Sequence, residues 1–288
     1  MRAIKFLGSN SAYIIWFLIY FGLAWAILGS SWNSFIIVSI IYGISITIAL
    51  SPMGEALLRI TENCREPATE QERNYLIPMF EEVYQNAKEV NPKLNDNIQL
   101  YIMDAMYVNA FAIGRKTIAL TRGAIETFTA EELKGILAHE LGHIIHGHTK
   151  ALLLSVIGNF FFSVIVWFFR AILYIVQLIC SVVANSGISI VFTVIAFIVR
   201  IVFEASVFVF INVSQIILAL NSRANEIQAD TFAYDVGYGR ELTSGLYLLQ
   251  KISMGTKLRL SERMKASHPH TAHRIENLER LENEAMEV

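Results

Sequence analysis

The chain has 288 residues, of which 54% are hydrophobic, and its mean hydropathy is +0.47. A soluble domain needs less apolar surface than this to fill its core. The net charge of −2 is close to neutral, which argues against a nucleic-acid-binding protein or a strongly charged partner. The composition therefore indicates a protein that places part of its length in a lipid bilayer.

The hydrophobic residues are concentrated in four runs, at 12–29, 35–50, 151–184 and 188–220. A helix needs about 20 apolar residues to cross a hydrocarbon layer roughly 30 Å thick. The first two runs approach that length and the last two exceed it. We therefore predict a mostly α membrane protein with four transmembrane helices, arranged as two hairpins.

Residues 1–30 also fit a secretory signal, since Arg2 and Lys5 precede an apolar stretch that contains the cleavage-like "AWA". That stretch is long for a signal peptide, and a second apolar run follows after a short loop. A membrane hairpin is the better interpretation.

The orientation follows from the basic residues, which are missing from the loops at 30–34 and 184–188. Nearly all of them lie instead in the remaining polar segments, which the positive-inside rule assigns to the cytoplasm. We predict a multi-pass protein of the cytoplasmic membrane with both termini in the cytoplasm. Its expected parts are a membrane hairpin (1–53), a cytoplasmic segment (54–150), a second membrane hairpin (151–220) and a cytoplasmic tail (221–288).

The segment at 54–150 reads as an α+β domain. Thr69 and Glu72 form a capping box that starts a helix, and "NPKLNDN" ends that helix. The runs "IQLYIMD", "YVNAFAIG" and "TIALTRG" follow, rich in β-branched and aromatic residues, and they predict a small antiparallel sheet. A second capping box, Thr129 with Glu132, then opens another helix.

This last helix carries the pattern His-Glu-x-x-His, formed by His139, Glu140 and His143. Residues four apart lie on one helix face, so both imidazoles can reach one ion with Glu140 beside it. The pattern is typical of zinc metallopeptidases. Because it is short, interfacial histidines that match it by chance are the alternative.

A catalytic zinc site also needs a third protein ligand. A metzincin would require a glycine at position 146 and a histidine at position 149, where this chain has His146 and Thr149. The other common choice is a carboxylate on a later helix, and Glu226 fits it, with Asp230 one turn on and placed to accept the free N–H of a ligand histidine. A solvated helix face at 226–230 is the alternative.

Spacing along the chain supports this ligand set. His143 and Glu226 lie at nearly equal distances from the turn at 184–188, so two continuous helices would bring them to the same height. Arg170 and Arg200 are symmetric about the same turn, and Glu204 lies one turn from Arg200. Charges at membrane depth usually pair, so we predict that Arg170, Arg200 and Glu204 meet.

With the His139-Glu140-x-x-His143 motif and the block from Ser222 to Asp230, the chain resembles the HtpX-type membrane metallopeptidases, relatives of the CAAX prenyl protease. The resemblance covers essentially the whole length. It implies a zincin-type catalytic domain with one zinc ion per chain, bound by His139, His143 and Glu226, and with Glu140 as general base.

The resemblance also implies residues along the substrate cleft. The family's Asn-Ala-aromatic strand is matched by Asn109, Ala110, Phe111 and Ala112, and its His-Pro block with a following arginine by His268, Pro269 and Arg274. Asn109 and His268 are thus expected to lie near bound peptide.

From the residues alone, the tail is more open. All seven histidines fall within 139–148 and 268–273. A second-cluster histidine could stabilise the oxyanion of a peptide-bond hydrolysis, with His268 the first candidate, His270 the second, and a capping or surface role the alternative. Arg274 could be an ordinary surface residue of a helix. His146 and His148 are better explained as interfacial.

The predicted function is zinc-dependent hydrolysis of misfolded or membrane proteins at the cytoplasmic face, with broad specificity. The lipid bilayer and polypeptides are the expected partners, and no organic cofactor or nucleic acid is expected. Two alternatives are a catalytically silent zinc-binding adaptor, which would more often use four ligands including cysteine, and a processing peptidase for prenylated proteins. Cys64 and Cys180 lie far from the motifs in sequence, and a disulfide between them is not expected.

Overall fold

The computed structural model describes residues 2–182, 187–219, 222–255 and 271–286. The chain forms two compact units. The helical unit consists of Ala12–Ser45 and Ser155–Leu220, and the mixed unit of Met1–Ser11, Ile46–Leu154 and Asn221–Val288.

In their described parts the four apolar runs are largely helical, in α1 (Arg2–Ile27), α2 (Trp32–Ala49), α7 (His148–Val182) and α8 (Gly187–Ala219). Trp16, Tyr20, Val38 and Tyr42 are buried between α1 and α2. Among the described residues, two segments are long and apolar enough to cross a membrane, Trp32–Ala49 and Val191–Phe208. The apolar helical stretches Ile14–Ala26 and Val166–Cys180 are shorter. The structure thus supports two candidate spans of the four predicted.

The mixed unit combines helices with a small sheet. In chain order its elements are α3 (Pro52–Thr61), β1 (Cys64–Arg65), α4 (Glu70–Val90), β2 (Gln99–Met103), β3 (Ala110–Ile113), β4 (Thr117–Thr121), α5 (Arg122–Thr127), α6 (Ala130–His146), α9 (Ser222–Asp235), α10 (Gly239–Gly255) and α11 (Thr271–Met286). Both predicted capping boxes are confirmed, with Thr69 and Glu72 opening α4 and Thr129 and Glu132 opening α6.

The sheet has the strand order β1-β2-β4-β3 and is mixed, so the prediction of an antiparallel sheet is wrong in one pair. The strands β3 and β4 form an antiparallel hairpin, whereas β2 runs parallel to β4. Every residue of β4 is buried, and a strand covered on both faces favours a central position. The strand β3 is consequently placed at the edge, beyond β4.

The core of the mixed unit is organised around α6, which packs against α4, α9, α10 and β3. Its residues from Ile136 to Ile144 are all buried. A helix that is buried on every side can present polar groups only to other parts of the protein, and here those groups are the histidines and glutamate of the motif.

The helix α6 ends at His146 because Gly147 adopts a left-handed conformation, with φ 76°. The helix α7 then begins at His148. The arm that leads to His143 is therefore interrupted at Gly147, and the equal spacing along the chain does not arise from two continuous helices.

Candidate metal centre

The three predicted ligands converge in the mixed unit. His139 and His143 project from α6 and Glu226 from α9, and each offers a ligand atom within 4.8 Å of the others. The two Nε2 atoms are 3.1 Å apart, and the Glu226 carboxylate oxygens lie 3.5 Å from Nε2 of His139 and 3.4 Å from Nε2 of His143. All three side chains are buried. This arrangement can hold one divalent cation.

The approach of α9 to α6 depends on a small residue between the ligands. A Cβ atom on Gly142 would lie 2.9 Å from both the Cα and the carbonyl oxygen of Ala229. Real Cβ atoms do not come this close to backbone, so a larger residue at 142 would push the helices apart and separate Glu226 from the histidines. Sequence reasoning overlooked Gly142, although it lies inside the His-Glu-x-x-His pattern.

Asp230 orients the first histidine. Its Oδ1 atom accepts a hydrogen bond from Nδ1 of His139 at 2.8 Å, which leaves Nε2 directed toward Glu226 and His143. Burial and the Arg274 guanidinium lower the pKa of His139, but the contacts with Asp230 and Glu226 outweigh them and raise it overall. Burial raises the pKa of Asp230, yet the charge of Arg274 and the hydrogen bond to His139 bring it down to about 2. Asp230 is therefore ionised near neutral pH.

Arg274, on α11, lies inside this cluster. Its side chain is 3% exposed, so the alternative of an ordinary surface residue is wrong. Nε and Nη2 donate to the two oxygens of Asp230 at 2.9 and 2.7 Å, while Nη1 is 3.0 Å from Oε2 of Glu226. Arg274 thus holds both acids in place, a role that sequence reasoning did not foresee.

The second histidine is oriented by another histidine. Nδ1 of His143 is 3.0 Å from Nδ1 of His148, whose Nε2 is 3.3 Å from the side-chain oxygen of Gln228. Burial, together with the neighbouring histidines, lowers the pKa of His148 to about 3, so His148 is neutral near pH 7. A neutral His148 that donates to Gln228 accepts the Nδ1 proton of His143 and leaves Nε2 of His143 available to an ion.

His148 was interpreted from the sequence as interfacial, and the structure places it against a candidate ligand. In the sequence, Gly147 could have indicated this position of His148. A glycine in the left-handed conformation ends α6 and changes the direction of the chain, and His148, the next residue, contacts His143 on α6. His146 bonds through Nδ1 to the carbonyl of Gly142 and does not join the ligand group.

Glu140 is 1% exposed and lies beside the ligands on α6. Its charge contributes to the raised pKa of Arg274, so the carboxylate is within electrostatic range of the cluster. The predictions for His268 and His270 concern residues outside those that the structure describes.

The predicted substrate strand, β3, is one of the two edge strands of the sheet that the described residues form. Asn109 precedes β3, and its backbone is fixed by Thr121, whose Oγ1 accepts from the Asn109 N–H at 2.9 Å and whose N–H donates to the Asn109 carbonyl at 3.0 Å. Ala110 and Ala112 are buried and Phe111 is half-buried. Because β3 packs against α6, this edge lies close to the helix that carries the histidines.

In the helical unit, two of the three predicted charges meet. Nε and Nη2 of Arg170 donate to the Glu204 carboxylate at 2.8 and 2.6 Å. Arg200 instead donates through Nη1 to the side-chain oxygen of Gln177 at 2.9 Å.

Residues 70–282 match Peptidase family M48. The match covers more than half of the chain, and the chain therefore belongs to this family of peptidases.

Among its relatives, Protease HtpX of Pseudomonas paraeruginosa (strain DSM 24068 / PA7) is 28% identical over 171 residues, or 56% of each chain. The Protease HtpX homolog of Helicobacter acinonychis (strain Sheeba) is 47% identical over 62 residues, or 20% of each chain. A crystal structure of S. mikatae Ste24p is 17% identical with a TM-score of 0.48, over 96% of this chain and 65% of that one.

The alignments thus span 20% to 56% of the length of these curated relatives. The resemblance to HtpX-type M48 peptidases, inferred from the motifs, is confirmed.

Proposed function

We propose that this chain is an integral-membrane, zinc-dependent endopeptidase that hydrolyses misfolded or membrane proteins at the cytoplasmic face. The observation that carries the proposal is the buried convergence of His139, His143 and Glu226 on a helix pair that also holds Glu140. Membership of Peptidase family M48 supports the same chemistry.

The donor set suits zinc in a catalytic role. Two imidazoles and one carboxylate are a ligand combination of catalytic zinc sites, which keep one position for water or substrate, whereas structural sites usually have four protein ligands and often cysteine. Cys64 on β1 and Cys180 on α7 do not belong to the group of candidate ligands that the described residues form. This favours an enzyme over a silent zinc-binding adaptor.

When bound, zinc supplies a Lewis acid that makes a nucleophile of water near neutral pH and polarises a carbonyl group. In the proposed mechanism, Glu140 accepts the proton of the attacking water and passes it to the leaving amine. Asp230 keeps the proton of His139 on Nδ1, and His148 does the same for His143. Arg274 holds Glu226 and Asp230 in place and offsets part of their negative charge before any ion binds.

The substrate is proposed to bind in an extended form along the edge strand that follows Asn109. Backbone pairing with an edge strand tolerates many side chains, which fits a peptidase for unfolded chains of varied sequence. His268 is proposed as the donor to the oxyanion. The membrane location is supported by the length and apolar composition of Trp32–Ala49 and Val191–Phe208.

The test compares the wild-type protein with Glu140→Gln and Glu226→Ala, each purified in detergent, by zinc analysis and casein cleavage with and without a chelator. We expect Glu140→Gln to retain zinc and lose cleavage by about 10²–10⁴-fold, because a positioned general base is typically worth that factor. Glu226→Ala should lose zinc. Cleavage by Glu140→Gln at the wild-type rate would contradict the mechanism, and a zinc-loaded wild type without activity would favour the adaptor.

A further inference from the structure

The short helix α3 turns its charged residues toward the protein. Glu55 is buried, and its carboxylate accepts hydrogen bonds from the backbone N–H groups of residues 115 and 116 at 2.6 and 3.2 Å. Arg59 donates through Nη1 to Oγ1 of Thr117 at 3.2 Å and lies over the ring of Tyr101, 4.8 Å from its centre. The polar side of α3 is therefore the side that packs on the sheet.

The apolar side of α3 faces away from the protein. Met53, Leu57 and Ile60 follow each other at helical spacing and are 54%, 50% and 73% exposed. A surface helix of a water-soluble domain shows the opposite arrangement, with its apolar stripe on the core. The inversion indicates that this stripe faces an apolar medium.

The helix α3 is fixed to the end of a candidate membrane span. Ser51 donates from Oγ to the Ile48 carbonyl at 2.7 Å and accepts from the Met53 N–H at 3.2 Å. A Cβ atom on Gly54 would collide with the carbonyl oxygen of Ala49, so the first turn of α3 sits directly on the last turn of α2. The 18 residues of α2 rise about 27 Å, close to the thickness of the hydrocarbon layer. The start of α3 thus coincides with the exit of α2 from a bilayer.

We propose that α3 lies along the bilayer surface, with Met53, Leu57 and Ile60 at the boundary between the headgroups and the acyl chains. Arg115 and Lys116 are exposed on the turn whose backbone N–H groups bind Glu55, so this cationic turn lies beside α3, where anionic phospholipid headgroups would be. Since α3 contacts β3, this anchoring holds the edge strand near the membrane surface. The inference rests on the proposed membrane location of α2 and is independent of the proteolytic chemistry.

The test uses the full-length protein with Cys64 and Cys180 replaced by alanine. Single cysteines then replace Met53, Leu57 or Ile60 and carry a nitroxide spin label, and the protein is reconstituted in vesicles of phosphatidylcholine with phosphatidylglycerol. Collision of the label with oxygen, which concentrates in lipid, is compared with collision with a water-soluble nickel chelate. These positions are exposed, and retention of zinc checks that each variant is folded.

Two exposed isoleucines serve as matched controls, Ile40 on α2 for lipid and Ile77 on α4 for water, at 56% and 46% exposure. We expect the labels on α3 to resemble Ile40→Cys, with nickel accessibility several-fold below that of Ile77→Cys. Nickel accessibility equal to Ile77→Cys would overturn the inference, and low accessibility to both reagents would replace lipid by a protein partner. A water-exposed label at Ile40→Cys would instead remove the membrane location itself, and this inference with it.

The headgroup contact is tested by lipid composition. For the label at Leu57→Cys, nickel accessibility should be higher in vesicles of phosphatidylcholine alone than in vesicles that also contain phosphatidylglycerol. Adding Arg115→Gln and Lys116→Gln to the labelled protein should raise the accessibility no further in vesicles of phosphatidylcholine alone. Accessibility that is the same in both kinds of vesicle would overturn the assignment of Arg115 and Lys116 to anionic headgroups.

Discussion

Arg274 is the main source of positive charge in a buried and otherwise acidic cluster, and replacing it should be costly before any metal binds. Its three donor contacts reach the carboxylates of Asp230 and Glu226, which are 0% and 4% exposed. Removing one partner of a buried ion pair typically costs about 3–5 kcal/mol, because the remaining charges stay buried without compensation. We expect this loss for Arg274→Met, which keeps a similar apolar stem.

The assay is thermal unfolding of the chelator-treated protein in detergent, followed by tryptophan fluorescence. A loss of this size should lower Tm by about 10 °C, at roughly 2–4 °C per kcal/mol for domains of 150–250 residues. The matched control is Arg280→Met on the same helix, where the ion pair with Glu284 is exposed and should be worth under about 1 kcal/mol.

A double-mutant cycle identifies the cause of the loss. The loss of stability in the double variant Asp230→Leu with Arg274→Met should be smaller than the sum of the losses in the two single variants. In the double variant, neither the Asp230 carboxylate nor the Arg274 guanidinium is left buried without its partner. Equal effects of Arg274→Met and Arg280→Met, or strict additivity in the cycle, would refute the reasoning.

Three further predictions concern the packing, the second histidine and the response to acid. Gly142→Ala should lower both the zinc affinity and the Tm, because the added Cβ would meet the backbone of Ala229. The control is Gly43→Ala, where no atom lies within 4 Å of the added Cβ and neither quantity should change. Equal effects of the two variants in zinc titration and thermal unfolding would contradict the packing argument. His148→Ala should weaken zinc binding about 10–100-fold, the usual cost of removing a partner of a ligand histidine, and unchanged affinity in competition with a chelator would count against its role. Hydrogen bonds from Arg65 and Arg122 hold the pKa of Glu72 well below its usual range. The ionised Glu72 therefore stabilises the folded protein fully above about pH 4.5, and this stabilisation is lost as the pH falls toward the lowered pKa of Glu72 in the folded state. Glu72→Gln should therefore destabilise by about 2 kcal/mol at pH 7, with the difference from wild type shrinking in acid, and a difference that grows in acid would show the sign to be wrong.

Short-range patterns in the sequence determined much of this protein. The apolar runs, both capping boxes and the His-Glu-x-x-His helix depend on residues within a few turns of one another, so their spacing alone predicts them. The choice of Glu226 and Asp230 also came from the sequence, because helical spacing puts both acids on one face.

Tertiary structure decided how these pieces are arranged. The sequence does not show that β2 pairs with β4 rather than with β3, the next strand along the chain, since strand order depends on which strand can be covered on both faces. Gly147 is present in the sequence, but the sequence does not show that α6 ends there and that His148 therefore contacts His143.

Arg274 is the clearest case of this division. In the sequence it is a basic residue on a polar helix, where a surface position or a place in the substrate cleft both fit. Only the packing of α11 against α9 and α10 carries its side chain into the interior, next to two acids that lie 44 and 48 positions earlier in the chain. The order of residues along a helix determines which of its faces is polar. The partner of that face depends on which distant parts of the chain pack against it, because a charge is stable only where water or an opposite charge can reach it.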